Sequence, residues 1–312
     1  MDIINGNFKI EGIVPPLVTP LQSRGQLDTG GLERLLEYVI DGGVHGVFIL
    51  GTTGEASRLS DPVKEALIRR SCEIVNKRVP VLVGITDTAI HETLRLEELA
   101  REAGADAVVL APPFYYHVEQ DELADYFLEV ADSVKLPLYL YNMPSRTHIH
   151  IDVSTVKKVA VHPNIIGLKD SSGNLMYIQS LIYAFGGEDE FSVFVGPEEI
   201  MAQSVLQGAH GGVNGGANIY PHLFVELYDA AKKGNLDQVN RLQHIVTHIS
   251  NTLYKVGVNQ PNFTKIVKEA LSQINICGPY MEKPYIPFTE EDRNKIKECM
   301  ENIHVPSTFI KQ

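Results

Sequence analysis

An eight-stranded parallel βα barrel with a helical C-terminal extension is the fold class that this 312-residue chain predicts, and two observations carry the prediction. Short apolar runs recur eight times in the first two-thirds of the sequence, and most are separated by segments whose apolar residues fall at helical spacing. Strands this apolar are covered on both faces, and repeats of about 20 to 35 residues suit a (β/α)8 TIM barrel. A doubly wound open sheet is the runner-up.

The strand-like runs are residues 12–18, 46–50, 79–83, 107–110, 136–141, 165–169, 191–195 and 211–213. Between them, Leu32, Leu35, Leu36 and Val39 form one helical stripe, and Leu94, Leu96, Leu99 and Ala100 form another. After the eighth unit the pattern changes: residues 225–233, 236–256 and 263–274 read as consecutive helices with no strand between them. Pro279, Pro284 and Pro287 interrupt the tail before a last helix over 289–302, whose Thr289-Glu290-Glu291-Asp292 opening is rich in early-turn acids. The expected division is a catalytic barrel over residues 1–232 and a helical extension over 233–312.

Composition narrows the partners. A net charge of -12 argues against nucleic acid or an anionic membrane, because phosphate contacts need clustered Lys and Arg. Cys72, Cys277 and Cys299 are few, odd in number and widely spaced, so neither a disulfide framework nor a thiolate metal site is expected. The first six residues show no basic region followed by an apolar run, and no stretch approaches the roughly 18 apolar residues of a membrane helix. A cytoplasmic protein is the expectation.

The residue that points most sharply to chemistry is Lys169, which closes the apolar segment Ile165-Ile166-Gly167-Leu168-Lys169. Parallel α/β barrels build active sites at the C-terminal ends of their strands, so this amine is aimed at such a site. An unperturbed lysine, with a pKa of about 10.4, is almost entirely protonated at neutral pH. Burial that lowered the value to roughly 7 to 8 would make it a nucleophile, at a cost of about 4 kcal/mol. The bland alternative is an amine that snorkels into solvent.

Other strand ends add to the case. Gly51-Thr52-Thr53-Gly54-Glu55 follows the second run; its backbone N–H groups and hydroxyls make a cradle for a carboxylate or phosphate, or else an ordinary helix-capping turn. Tyr141-Asn142-Met143-Pro144 closes the fifth run. Tyr141 can relay a proton, and Arg146 offers a planar fork for a second carboxylate. Pro112-Pro113-Phe114-Tyr115-Tyr116 follows the fourth run and suits packing or a subunit contact. The glycines from Gly211 to Gly216 allow close approach to a ligand, a phosphate site or plain turn geometry. His148 and His150, without an acidic or cysteine partner nearby, are weak evidence for a metal, and no metal is expected.

Taken together and in order, Gly51-Thr52-Thr53-Gly54-Glu55, Tyr141-Asn142-Met143-Pro144 and Gly167-Leu168-Lys169-Asp170 resemble the motifs of the dihydrodipicolinate synthase and N-acetylneuraminate lyase family of class I, pyruvate-dependent aldolases. The likeness runs over nearly the whole chain. It implies a Schiff base between Lys169 and pyruvate or another 2-oxo acid, proton shuttling by Tyr141, and a carboxylate held by Thr52 and Thr53. Gly51 and Val213 complete the implied substrate-binding set. The imine itself is the electron sink, so no cofactor is required. The partners implied are pyruvate and a small aldehyde, in a homotetramer built as a dimer of dimers.

Within the family, Tyr115 resembles the tyrosine by which the synthases complete a Thr52, Tyr141, Tyr115 relay across a dimer interface, and Arg146 resembles their receptor for the carboxylate of aspartate semialdehyde. Both imply the synthase and a place in lysine biosynthesis. Asp170-Ser171-Ser172 departs from the glutamate and alanine of typical synthases towards relatives acting on sugar-derived 2-oxo acids. Asp61, Lys64 and Thr88 stand where lysine-inhibited synthases often carry two histidines and an asparagine, which speaks against feedback inhibition by lysine. A silent 2-oxo-acid sensor and a phosphate-binding barrel isomerase are the alternatives from other classes.

Overall fold

The computed structural model describes residues 8–186, 191–257 and 262–303, so the N-terminal residues read above for a signal sequence lie outside the described part. Eight parallel strands form one sheet: Gly12–Ile13, Val47–Ile49, Val81–Gly84, Ala107–Leu110, Leu138–Asn142, Ile165–Asp170, Ser192–Val195 and Gly211–Gly212. The first pairs with the eighth, Gly12 opposite Gly211. The chain just beyond the first strand bridges to the second, Pro16 opposite Phe48, and this closes the ring. The architecture is a (β/α)8 barrel with C-terminal helices.

The first run supplies only two ladder residues because Pro15 and Pro16 have no N–H to donate. Their carbonyl side still works: Pro15 O accepts from Phe48 N at 3.0 Å, and Leu17 N donates to Phe48 O at 2.8 Å. Gly211 is needed at the seam, since a Cβ there would strike the backbone of Gly12. Strand alternation sorts the core into two layers. Phe48, Leu82, Ala107, Val109, Tyr139, Tyr141, Phe194 and Val213 fill the barrel interior. Their neighbours Val47, Val83, Val108, Leu140, Leu168 and Val193 face the surrounding helices.

The helices follow the stripes. Leu32, Leu35, Leu36 and Val39 are buried on Thr29–Asp41, whose N-cap Asp28 accepts from Gly31 N; Leu96, Leu99 and Ala100 are buried on Ile90–Ala103. The helix expected from 225 begins at Pro221, because proline suits the first helical turn. The continuous helix expected over 236–256 is instead Leu236–Asn251 followed by a 3-10 turn, Leu253–Lys255. Asn251 and Thr252 bond back to Thr247 O and His248 O at 2.8 and 2.7 Å, an alternative to continuing the helix. Phe263–Gln273 and Glu290–Asn302 complete the extension, with Thr289 as the N-cap of the latter. A small antiparallel hairpin, Leu21–Ser23 with Gln26–Leu27, was not expected; its polar strands are largely exposed and carry no apolar alternation. Among the described residues no helix is long and apolar enough to cross a membrane.

Candidate active site

Register brings the chemistry together. In the paired fifth and sixth strands Tyr141 stands opposite Lys169, and Lys169 stands opposite Phe194 on the seventh. All three are inward positions, so the amine enters the barrel mouth beside the phenol. Lys169 is 6% exposed. Its Nζ lies 4.0 Å from the centre of the Tyr141 ring and 5.2 Å from that of Phe48. No carboxylate among the described residues lies within ion-pair distance of it. Gly167, the preceding inward position, leaves space for Tyr139, whose ring a Cβ there would overlap.

Tyr141 Oη and Thr52 Oγ1 are 3.2 Å apart, which links the phenol to the 51–55 turn. Burial pushes the Tyr141 phenol up, but the Lys169 charge and hydrogen bonds with Thr52, Ser171 and Lys169 together hold it below the ordinary tyrosine range. The turn itself is tight: Gly54 N donates to Gly51 O at 3.1 Å, and Leu50 and Glu55 take left-handed backbone angles at either end. Neither the Thr52 nor the Thr53 N–H has a backbone partner among the described residues. Two open amides and two hydroxyls at a strand end are donors of the kind that can hold an anion.

These groups line one cavity of about 680 Å³, which also takes in Gly51, Arg146 and Val213. Arg146 is exposed, and among the described residues no carboxylate pairs with it. Of the residues picked out by sequence, Lys169, Tyr141, Thr52, Thr53, Gly51, Arg146 and Val213 therefore share the cavity. Tyr115 does not. It is 82% exposed, held at φ 92°, and packs edge to face on Tyr116 with ring centres 5.0 Å apart.

Asp170 faces away from the mouth: it accepts from Asn142 Nδ2 at 2.7 Å and from Ser172 Oγ at 2.8 Å, so it braces the strand ends. Burial raises its pKa against those bonds. Ser171, its neighbour, is on the cavity wall. The glycine-rich stretch mainly admits other parts of the chain, since a Cβ on Gly215 would meet Phe263 and one on Gly216 would meet Tyr254. His148 is an exposed left-handed C-cap, whereas His150 packs on Tyr177 with ring centres 4.4 Å apart. Among the described residues no group of three His, Cys, Asp or Glu side chains is arranged to hold a metal ion.

The sequence reading missed Glu198, which also lines the cavity and is 5% exposed. Its carboxyl takes bonds from Gly216 N at 2.5 Å and Tyr254 Oη at 3.1 Å. Burial, reinforced by nearby Glu199, pushes its pKa up to about 8 despite those two bonds. Position held the clue, because Pro197-Glu198-Glu199 follows the seventh strand as the other motifs follow theirs. Tyr254, Phe263 and Tyr285, also on the wall, come from the extension and carried no such signal.

Comparison with known proteins places the chain in a family. A model of the dihydrodipicolinate synthetase family matches residues 9–303. The 4-hydroxy-tetrahydrodipicolinate synthase of Geobacter sp. (strain M21) is 33% identical over 290 residues, covering 93% of this chain and 97% of that protein. YagE of Escherichia coli K12, named a putative 2-dehydro-3-deoxy-D-gluconate aldolase, is 32% identical over 298 residues, covering 94% and 96%. Its crystal structure in complex with pyruvate gives a TM-score of 0.88 at 31% identity, covering 94% and 98%. The structure of dihydrodipicolinate synthase from Bacteroides thetaiotaomicron gives a TM-score of 0.92 at 47% identity, covering 95% of this chain and all of that one. A barrel of this build, matched along nearly its whole length, belongs to the dihydrodipicolinate synthetase family, and the chain is a lyase of the pyruvate-dependent class I aldolase type.

Proposed function

We propose that this enzyme is a 4-hydroxy-tetrahydrodipicolinate synthase, condensing pyruvate with aspartate semialdehyde. The observation that carries the choice of aldehyde is Arg146, a guanidinium without a carboxylate partner on the wall of the cavity that holds Lys169. An aldehyde bearing its own carboxylate supplies the missing counter-ion. Arg58 on the same wall, stacked 4.2 Å over Tyr285, adds to the positive field.

In this reading the neutral Lys169 amine adds to C2 of pyruvate, whose carboxylate sits on the Thr52 and Thr53 amides. The carbinolamine loses its hydroxyl as water, with the proton delivered by Tyr141, and leaves a protonated imine. Loss of a C3 proton gives the enamine, whose carbon attacks the aldehyde carbon, and the aldehyde oxygen takes up a proton; the amine of the aspartate semialdehyde portion then adds to the imine carbon, closing the ring and expelling the Lys169 amine, so that the water lost from the carbinolamine is the net by-product. The relay from Tyr141 through Thr52 is completed by Tyr115 of a second copy. An aromatic side chain held out into solvent on a strained backbone favours a homo-oligomer, a dimer of dimers, as the working form. Three free cysteines suit a cytoplasmic setting.

A second reading is cleavage or synthesis of a 2-keto-3-deoxy sugar acid, as the name of YagE suggests. Ser171 and Glu199 on the cavity wall favour it, because a polyhydroxylated substrate needs such acceptors. Borohydride reduction in the presence of pyruvate, mapped by mass spectrometry, is expected to label Lys169; an unlabelled Lys169 refutes both readings. Turnover of aspartate semialdehyde, N-acetylmannosamine and glyceraldehyde then separates them, and preference for either sugar-type aldehyde over aspartate semialdehyde overturns the first.

A further inference from the structure

The 51–55 turn is held from behind by the C-terminal extension. Glu55 and Lys268 have side chains with no solvent exposure, and Lys268 Nζ donates to Glu55 Oε1 at 2.6 Å. The same Nζ donates to Tyr280 O at 2.6 Å, and Glu282 N donates to Glu55 Oε2 at 3.0 Å. Both contacts to Glu55 come from more than 200 positions later in the chain. Lys268 is on helix Phe263–Gln273, whose first residue is on the cavity wall.

Stability alone is a poor reason for such an arrangement, because a buried ion pair replaced by apolar groups of similar volume often costs nothing. Geometry gives a better one. Glu55 is a non-glycine residue at φ 60°, two positions after Thr53, and Leu50 at φ 56° opens the same turn. Released from its partners, Glu55 would relax towards an ordinary backbone conformation and rotate the peptide planes that present the Thr52 and Thr53 amides. We propose that Glu55 and Lys268 are positioning residues, through which the extension holds the anion seat in shape for the carboxylate of the 2-oxo acid. This rests on the aldolase reading above and adds a role for the extension. Preorganised amides bind without reorientation, so the effect belongs to pyruvate affinity.

The test uses the full chain carrying Glu55→Gln together with Lys268→Met, which removes the pair without leaving an uncompensated charge. The pyruvate KM is expected to rise at least 10-fold, with a smaller change in kcat at saturation, an unchanged KM for the aldehyde, and a borohydride adduct still forming on Lys169. A folded double variant with the wild-type pyruvate KM overturns the proposal. Should the variant fail to fold, the wild-type enzyme decides, because coupling is reciprocal: trapping pyruvate on Lys169 is expected to slow amide exchange at Glu282 several-fold. Unchanged exchange there overturns the proposal as well. If wild-type Lys169 is not trapped at all, the aldolase reading fails instead.

Discussion

Lys169 in the barrel mouth and Lys268 behind the 51–55 turn are the same amine in two kinds of interior. Lys268 is wholly enclosed and has a carboxylate and a carbonyl within 2.6 Å. Burial pulls its pKa down while Glu55 pulls it back up. Lys169 is nearly as enclosed, yet its neighbours are the faces of aromatic rings and a phenol. A paired amine is a fixed point in the structure; an amine with no carboxylate partner among the described residues is left open to whatever enters the cavity. The difference lies in the partners and not in the depth.

Substitution of each lysine by methionine tests that contrast most directly. Lys169→Met is expected to abolish turnover and borohydride labelling while leaving the melting temperature equal or higher, because it removes an amine without a counter-ion from an apolar site. Retained turnover would break the comparison. In Tyr141→Phe, kcat is expected to fall by roughly 10²- to 10⁴-fold, the usual worth of a positioned proton donor. Lys268→Met, by contrast, strands Glu55 and is expected to cost about 3 to 5 kcal/mol in denaturant unfolding. A stable Lys268→Met protein would mean that the pair contributes little. Arg146→Ala is expected to lower kcat/KM for aspartate semialdehyde roughly 10- to 100-fold with the pyruvate KM unchanged.

The smallest effect concerns Glu198, a buried acid without a strong cation beside it. Its folded pKa of about 8 lies above the ordinary 4.5, so the folded state holds this proton across that interval while the unfolded state releases it. Its contribution to stability is therefore complete below about pH 4.5 and is lost as pH rises to 8. Glu198→Gln, which keeps both hydrogen-bonding positions, is expected to flatten that decline. Thermal unfolding at pH 5 and pH 8 reads it out; parallel curves for the two proteins would mean that Glu198 is ionised throughout.

The features legible in the sequence are local ones. All eight runs became strands because a short apolar segment between helical stripes has few other ways to be buried. Lys169 and Tyr141 were legible because period-two alternation and the strand-end rule fix both direction and height. The outward turn of Asp170 follows from the same alternation. What escaped depends on distant chain segments: nothing near Glu55 in the sequence announces Lys268, and Tyr254 reads as helix until Asn251 and Thr252 end that helix early. No window of neighbouring residues contains those partners.

The seam between Gly12 and Gly211 also bears on how the molecule is made. The opening strand meets one of its two neighbours only after roughly 200 further residues have been synthesised, some 10 to 40 seconds at ordinary ribosomal speeds. Until then the nascent ring stands open, with unsatisfied backbone along its first edge. Assembly by this route is slow for its size and exposed to capture by other chains, which makes chaperone dependence during expression a natural consequence of where the circle is joined.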